Sequence, residues 1–460
     1  MQPSILVKKR RTNFFANPAR VIVLSFALLI IAGALLLMMP FSSNSGEFTD
    51  PLTAFFTATS ASCVTGLIVV DTYTHWNLIG QLIILTMIQI GGLGLITFTT
   101  FFNVALRKKI PIHSMKLASE SVNSTDVFSV RQMISRIIAI TLSIEFIGAV
   151  VLSFSFVPKF GGKGIYYSIF TSISAFCNAG FDVFGFITPN SSLRSFAESP
   201  SILIPVMILI VLGGLGFIVW SDLLTYRKQK KLILHTKIVL IATGILIVIP
   251  AILFFLFEST NTNTFGNMSV GDRVVNSFFQ SITTRTAGFD TFDNNLLTPI
   301  SKMLSILLMF IGGAPGSTAG GIKVTTFIVL AMTVVCVIRG RNETIIGGRR
   351  IDKSVVYKAL AVTFIAVLAI GLATSIIYFT NDGEGDILGI NALYESVSAF
   401  STVGLTVGIT EVSNVISRII LILTMFIGRV GPVSLALSLA LRSNNKSKNQ
   451  VIPEGKIMVG

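Results

Sequence analysis

The chain has 460 residues, 52% of them hydrophobic and 12% charged, with a mean hydropathy of +0.80. Soluble domains carry about twice that charged fraction, so the composition excludes a soluble globular domain and predicts a polytopic membrane protein. The formal charge of +14 would suggest nucleic acid in a soluble chain, but here the basic residues fall in short tracts between apolar runs.

In chain order, apolar runs long enough to cross about 30 Å of hydrocarbon occur near 20–39, 79–102, 137–157, 202–220, 238–257, 303–338, 359–379 and 415–440. The first follows "KKRR" and runs into Pro40 without a small-residue cleavage site, so it is expected to be a retained span and not a signal peptide. Basic tracts at 8–11, 107–109, 227–231 and 339–353, with the tail after Arg442, all fall on one side of such a chain. The positive-inside rule makes that side cytoplasmic, with both termini inside a plasma (inner) membrane. No nucleic-acid partner is expected. Cys63, Cys177 and Cys336 form no disulfide framework, and His75, His113 and His235 have no metal-like spacing. There is no HExxH and no nucleophile–base constellation, so no enzymatic activity and no cofactor are expected.

The outer segments carry an internal repeat. "FFTATSASCVTGLIVVD", "IFTSISAFCNAGFDVF", "FFQSITTRTAGFDTF" and "LYESVSAFSTVGLTVG" are Ser/Thr-rich and each closes on one glycine followed by Leu or Phe: Gly66, Gly180, Gly288 and Gly404. The next span then carries "QIGGLG", "VLGGLG", "FIGGAPG" or the modified "FIGRVG". The predicted fold is therefore all-α: four tandem helix–pore-loop–helix repeats, eight transmembrane helices in all, around a pseudo-fourfold pore. The expected divisions are a cytoplasmic tail (1–18), repeat 1 (19–106), a linker (107–132), repeat 2 (133–226), repeat 3 (227–338), a linker (339–354), repeat 4 (355–442) and a cytoplasmic tail (443–460).

Asp50 before Pro51 predicts a helix start, and a helix over 51–62 would rise about 18 Å, half the membrane. Its C-terminus aims about half a negative charge at the bilayer centre, which attracts a cation. The extended residues beyond it leave carbonyls unpaired, which is tolerated at depth only within protein or along a water-filled path. Four copies give rings of oxygens that replace an ion's hydration shell. Cys63, Cys177, Arg285 and Ser401 occupy equivalent positions; such interchangeable side chains assign the coordination to the backbone.

With these repeats the sequence resembles the Ktr/Trk/HKT superfamily of cation transporters over roughly residues 15–442, and its eight spans look closest to the KtrB-type membrane subunit. The resemblance implies a potassium uptake pore with a selectivity filter of Val64, Thr65 and Gly66; Asn178, Ala179 and Gly180; Thr286, Ala287 and Gly288; and Thr402, Val403 and Gly404. Potassium would bind at these residues, with sodium as a coupling or activating ion. Sodium-preferring plant relatives tend to carry Ser at the first filter glycine, where this chain has Gly66. The alternative is a sodium-permeable or weakly selective monovalent cation channel of the same fold. Implied partners are a second copy in a homodimer, membrane lipid, and a cytoplasmic ring of nucleotide-binding, KtrA-like regulatory subunits, with the basic loops 107–116, 227–237 and 339–353 either as docking surfaces or, equally, as a solvated positive-inside rim.

One helix over 303–338 would be about 54 Å long, so it must break at Gly312, Gly313 and Pro315. The insert Gly312, Gly313, Ala314, Pro315, Gly316, Ser317, Thr318, Ala319, Gly320 and Gly321 lies where the superfamily places an intramembrane gating loop. It is expected to hydrogen-bond through Ser317 and Thr318 when it crosses the path, and to release easily because little is packed. "GSTAGGIK" has Ile322 directly after Gly321, where a phosphate-binding loop needs lysine. "GGLG" at 91–94 and 213–216 suits close helix contact. Arg429, standing where other repeats carry Gly92, Gly214 and Gly313, is expected beneath the filter as a pore barrier or a tether on the loop. Lys323 is expected either to snorkel to the cytoplasmic side or to line the inner vestibule. Glu145 and Glu395 are expected to be structural.

Overall fold

In the computed structural model the described residues are 18–94, 130–381 and 389–431. The basic tracts at 8–11 and 107–109, the loop 107–116, His113, the two tails, and the run ends 95–102 and 432–440 lie outside them. The described residues are mostly helical: α1 (Pro18–Met38), α2 (Pro51–Cys63), α3 (Leu78–Leu93), α4 (Val130–Phe160), α5 (Lys163–Cys177), α6 (Pro200–Gly214), α7 (Phe217–Gln229), α8 (Leu234–Glu258), α9 (Val270–Thr283), α10 (Pro299–Phe310), α11 (Val324–Ile338), α12 (Lys353–Thr380), α13 (Gly389–Ser401) and α14 (Val415–Val430).

The helix starts follow their capping chemistry. Asp50 Oδ2 accepts the Thr53 N–H at 3.0 Å ahead of Pro51, as predicted. Asn77 Oδ1 accepts the Ile79 and Gly80 N–H groups, and Asn414 Oδ1 that of Ser417. Each cap satisfies donors that a helix N-terminus leaves without partners.

Stretches of α1, α4, α8 and α12 (Arg20–Met38, Ile134–Phe160, Leu234–Glu258, Lys353–Thr380) are long and apolar enough to cross a membrane. A fifth crossing is α6 with α7, if that pair, bent by 95°, is one span. The helices of the other expected spans are shorter among the described residues. We expected a break only in the third repeat. Instead α3 stops before Gly94 (φ 81°), α6 gives way to α7 at Gly216 (φ 88°), and α14 stops before Gly431 (φ 90°). Only glycine takes those angles without strain, so the last glycine of "GGLG" and its counterpart in "FIGRVG" act as breakers. The all-α expectation also misses a small hairpin: Ile345–Ile346 pairs antiparallel with Arg349–Arg350. Gly347 and Gly348, both at positive φ, form its turn as a type I′ connection requires.

Packing runs in a cycle. The long helix α1 packs on α2, α4 on α5, α8 on α9 and α12 on α13; α3 then packs on α5, α6 on α9, α10 on α13, and α14 back on α2. The core follows this ring, with Phe56, Phe170, Phe176, Phe279, Tyr394 and Phe400 all buried. Outward faces stay apolar, as at Leu28, Phe146, Phe154, Ile241 and Phe364, the pattern of helices whose surroundings are lipid.

Candidate functional site

The glycines close the same cycle at atomic distance. A methyl group built on Gly66 would lie 2.6 Å from the Ala179 carbonyl oxygen, and one on Gly180 would lie 2.9 Å from that of Ala287. On Gly288 it would collide with the Val403 oxygen, and on Gly404 with that of Thr65. Each glycine therefore faces the carbonyl preceding the glycine of the next segment, and the fourth faces the first. Their φ values, from 70° to 95°, independently favour glycine.

The residue two before each glycine is left-handed as well: Val64 (φ 59°), Asn178 (φ 59°), Thr286 (φ 73°) and Thr402 (φ 50°). This conformation costs a β-branched residue of order 1–3 kcal/mol, and three of the four are β-branched, so the surroundings enforce it. Part of the enforcement is visible. Thr65 N–H donates to Ser60 O, Ala179 N–H to Ser174 O and Val403 N–H to Ser398 O, each at 2.8–2.9 Å. The chain thus turns sharply at the end of α2, α5 and α13. The carbonyls of Val64, Thr65, Asn178, Ala179, Thr286, Ala287, Thr402 and Val403 accept no hydrogen bond from the described residues. Buried carbonyls are almost always paired, so these eight, four of which face the glycine of a neighbouring segment, have the chemistry to serve as oxygen ligands.

Sequence reasoning missed the hydroxyls that hold this turn. Ser60 Oγ accepts the Gly66 N–H and Ser398 Oγ the Gly404 N–H, both at 3.1 Å. In the other two segments the hydroxyl donates instead, Ser174 Oγ to Phe181 O at 2.7 Å and Thr283 Oγ1 to Phe289 O at 2.5 Å. Leu follows the glycine in the first pair and Phe in the second. A hydroxyl five or six residues before every glycine was the available signal.

Below the ring, the glycine pairs divide their work. A methyl on Gly91, Gly213 or Gly428 would collide with the carbonyl of Ser62, Phe176 or Phe400, so these helices rest directly on the ends of α2, α5 and α13. This close contact is the expected role of "GGLG", in addition to breaking the helix. In the third repeat the matching Gly312 faces Gly320 O, within its own loop.

Residues between α10 and α11 are non-helical, as expected, but the loop is far from loosely held. Ala314 N–H donates to Gly214 O at 3.0 Å and Thr318 N–H to Gly213 O at 3.4 Å, while Phe217 N–H donates to Gly316 O at 2.8 Å. Thr318 Oγ1 donates to Phe176 O at 3.1 Å, whereas Ser317 Oγ caps only Ala314 O. At the far side, Gly320 leaves no room for a side chain against Thr402, and Gly321 sits beside Ser401. The expectation of easy release is corrected: Gly312, Gly313, Ala314, Thr318, Ala319 and Gly320 are buried, and their backbone fits too tightly to move without breaking bonds.

Arg429 meets this loop from α14. Its Nη1 donates to Thr318 O, and its Nη2 to Gly91 O and, at 3.4 Å, to Gly92 O. One guanidinium thus joins the loop of the third repeat to the glycine pair of the first. Lys323 fulfils neither expectation in simple form. Its Nζ folds back onto Ala319 O at 2.7 Å, another tie on the loop. Glu395 accepts from Thr406, Val407 N–H and both donors of Thr410, and Glu145 from Gln89 Nε2 at 3.0 and 3.2 Å.

Comparisons with known proteins identify the family. A family model described as "TrkH: Cation transport protein" matches residues 2–449. The chain is 38% identical to the potassium/sodium uptake protein NtpJ of Enterococcus hirae, over 99% of this chain and 100% of the relative. It is 37% identical to the Ktr system potassium uptake protein B of Bacillus subtilis, over 96% of this chain and 97% of the relative. The crystal structure of the potassium transporter TrkH from Vibrio parahaemolyticus superposes with a TM-score of 0.71 at 18% identity, covering 94% of this chain and 86% of that one, which shows a shared fold. The chain, a multi-pass membrane protein, belongs to the TrkH family of cation transport proteins.

Proposed function

We propose that the chain is the ion-translocating subunit of a Ktr-type potassium uptake system, built as four helix–pore-loop–helix repeats whose eight crossings surround a pseudo-fourfold pore. The observation that carries the reading is the closed cycle of Gly66, Gly180, Gly288 and Gly404, each against the next segment's unpaired carbonyl. Main-chain oxygens from the four segments form the selectivity filter and replace the hydration shell of K⁺. The half-helices α2, α5, α9 and α13 end at this ring and add their negative poles. The loop at 312–321, tied beneath by Arg429 and Lys323, is the gate in its closed arrangement.

The charge asymmetry of the basic tracts supports both termini lying in the cytoplasm, with the plasma membrane as the protein's location. An inside-negative potential supplies about 2.3 kcal/mol per charge per 100 mV, which draws K⁺ inward without ATP hydrolysis in this chain. A homodimer docked on a ring of nucleotide-binding regulatory subunits completes the assembly, with sodium as an activating or coupling ion. The relatives' names support this reading: one is called a Ktr system potassium uptake protein and another a potassium/sodium uptake protein. The test is uptake of radiolabelled Rb⁺ into proteoliposomes with and without Na⁺. Potential-driven Rb⁺ uptake that excess Na⁺ does not displace supports the proposal; equal competition by Na⁺ replaces it with a weakly selective cation channel.

A further inference from the structure

Away from the ring, a cavity of about 210 Å³ lies between α4 and α7, with Arg136 and Ile140 on one wall and Phe217, Ser221, Leu224 and Thr225 on the other. Arg136 is exposed and has no ion pair or hydrogen bond among the described residues. The one carboxylate on α7, Asp222, is turned away and accepts the Ile233 N–H at 3.1 Å. Thr225 Oγ1 is engaged by backbone carbonyls of its own helix, while the Ser221 hydroxyl has no protein partner among the described residues. Leu224 is 60% exposed, so the cavity combines a free cation, a free hydroxyl and an apolar rim.

The position selects the occupant. Arg136 stands near the cytoplasmic start of α4, and α7 runs into the basic tract at 227–231. Basic pockets between helices on that side face a leaflet rich in anionic lipid. We propose that this cavity receives the headgroup phosphate of an anionic phospholipid, with Arg136 as its counter-ion and an acyl chain along Leu224, and that the bound lipid steadies the closed loop. The link is short: Phe217, which walls the cavity, is also the residue whose N–H holds Gly316 O in the loop. A lipid bracing α7 against α4 fixes the corner at Gly216 from which that bond is made. The proposal deepens the reading above and rests on its orientation and its gate.

The full chain is reconstituted in nanodiscs of equal phosphatidylcholine and phosphatidylglycerol, and the lipid it retains is read by native mass spectrometry. Selective retention of phosphatidylglycerol, reduced several-fold in Arg136→Gln and restored in Arg136→Lys, is the expected result. Equal retention by Arg136→Gln overturns the site, including the case in which a second copy or another subunit covers the cavity. Inorganic phosphate added to the detergent-solubilised protein separates the sources: Arg136-dependent thermal stabilisation equal to that from phosphatidylglycerol overturns the lipid assignment. Basal Rb⁺ flux is expected to be several-fold higher in vesicles of phosphatidylcholine alone, with Arg136→Gln equally leaky in both compositions; a flux independent of composition overturns the steadying role. Lipid retention stays readable if the transport reading fails, and flux stays readable if the lipid site fails.

Discussion

Replacing Arg429 by Ala removes the charged hydrogen bond to Thr318 O and the bonds to Gly91 O and Gly92 O. A hydrogen bond to a charged group is worth about 1.5–3 kcal/mol, against about 0.5–1.5 for a neutral one, so the bond to Thr318 exceeds any of the loop's ties to Gly213, Gly214 or Phe176. At 1.4 kcal/mol per tenfold change, its loss on the proposed gate shifts the closed-to-open ratio of the loop by roughly ten- to a hundredfold. Basal Rb⁺ uptake into proteoliposomes, without any regulatory subunit, should rise by up to that factor. Two actions are combined in this residue, a tie on the loop and a positive charge under the ring, and Arg429→Lys separates them. Lysine keeps the charge but lacks the planar fork that reaches two carbonyls at once, so a rise in Arg429→Lys close to that in Arg429→Ala assigns the effect to the tie. Basal flux in Arg429→Ala equal to that of the parent protein rules out both actions.

Gly66→Ser forces a side chain toward Ala179 O at 2.6 Å; the ring must distort, and the Rb⁺ preference over Na⁺, read by competition, should fall. Ser398→Ala leaves the buried Gly404 N–H without a partner at a cost of about 1–3 kcal/mol, so melting temperature and ion preference should both drop. Gly428→Ala drives a methyl into Phe400 O and should destabilise the fold by roughly 1–3 kcal/mol through overpacking, read as a lower thermal midpoint in detergent. Deleting residues within 314–321 should raise basal flux as Arg429→Ala does, whereas unchanged flux would remove this loop from the pathway.

The four glycine-ended segments were legible because one glycine ending a Ser/Thr-rich stretch recurs with its context, and the Asp50–Pro51 start carries its own chemistry. The loop was legible as a length mismatch: thirty-odd apolar residues cannot stay one helix around Gly312, Gly313 and Pro315. The breaks at Gly94, Gly216 and Gly431 were not, since a glycine that hinges a helix and one that lets two helices touch look identical without φ. The tightness of the loop was also hidden. Small side chains suggested loose packing, yet Gly320 and Gly312 are small because backbone lies against them. Arg429 could be placed under the ring by register, but its carbonyl partners 111 and 338 residues away are set only by the closed cycle.

That cycle explains why the two departures from the repeat belong together. Three repeats use the first glycine of the pair to rest on a half-helix end, at Ser62, Phe176 and Phe400; the third turns it inward to Gly320, freeing its chain to cross beneath the ring. The fourth repeat replaces the second glycine with Arg429. In a ring ordered one, two, three, four, the third and fourth repeats are neighbours, so the crossing chain reaches Ser401 and Thr402 on one side and Gly213 and Gly214 on the other. The fourth repeat also adjoins the first, through α14 on α2, and the arginine spans that seam to Gly91. The loop is thereby bonded to the second and fourth repeats directly and to the first through one guanidinium. Any motion that spreads the four segments must lengthen at least one of those bonds, and Thr318 and Arg429 carry the ones that join three repeats at once.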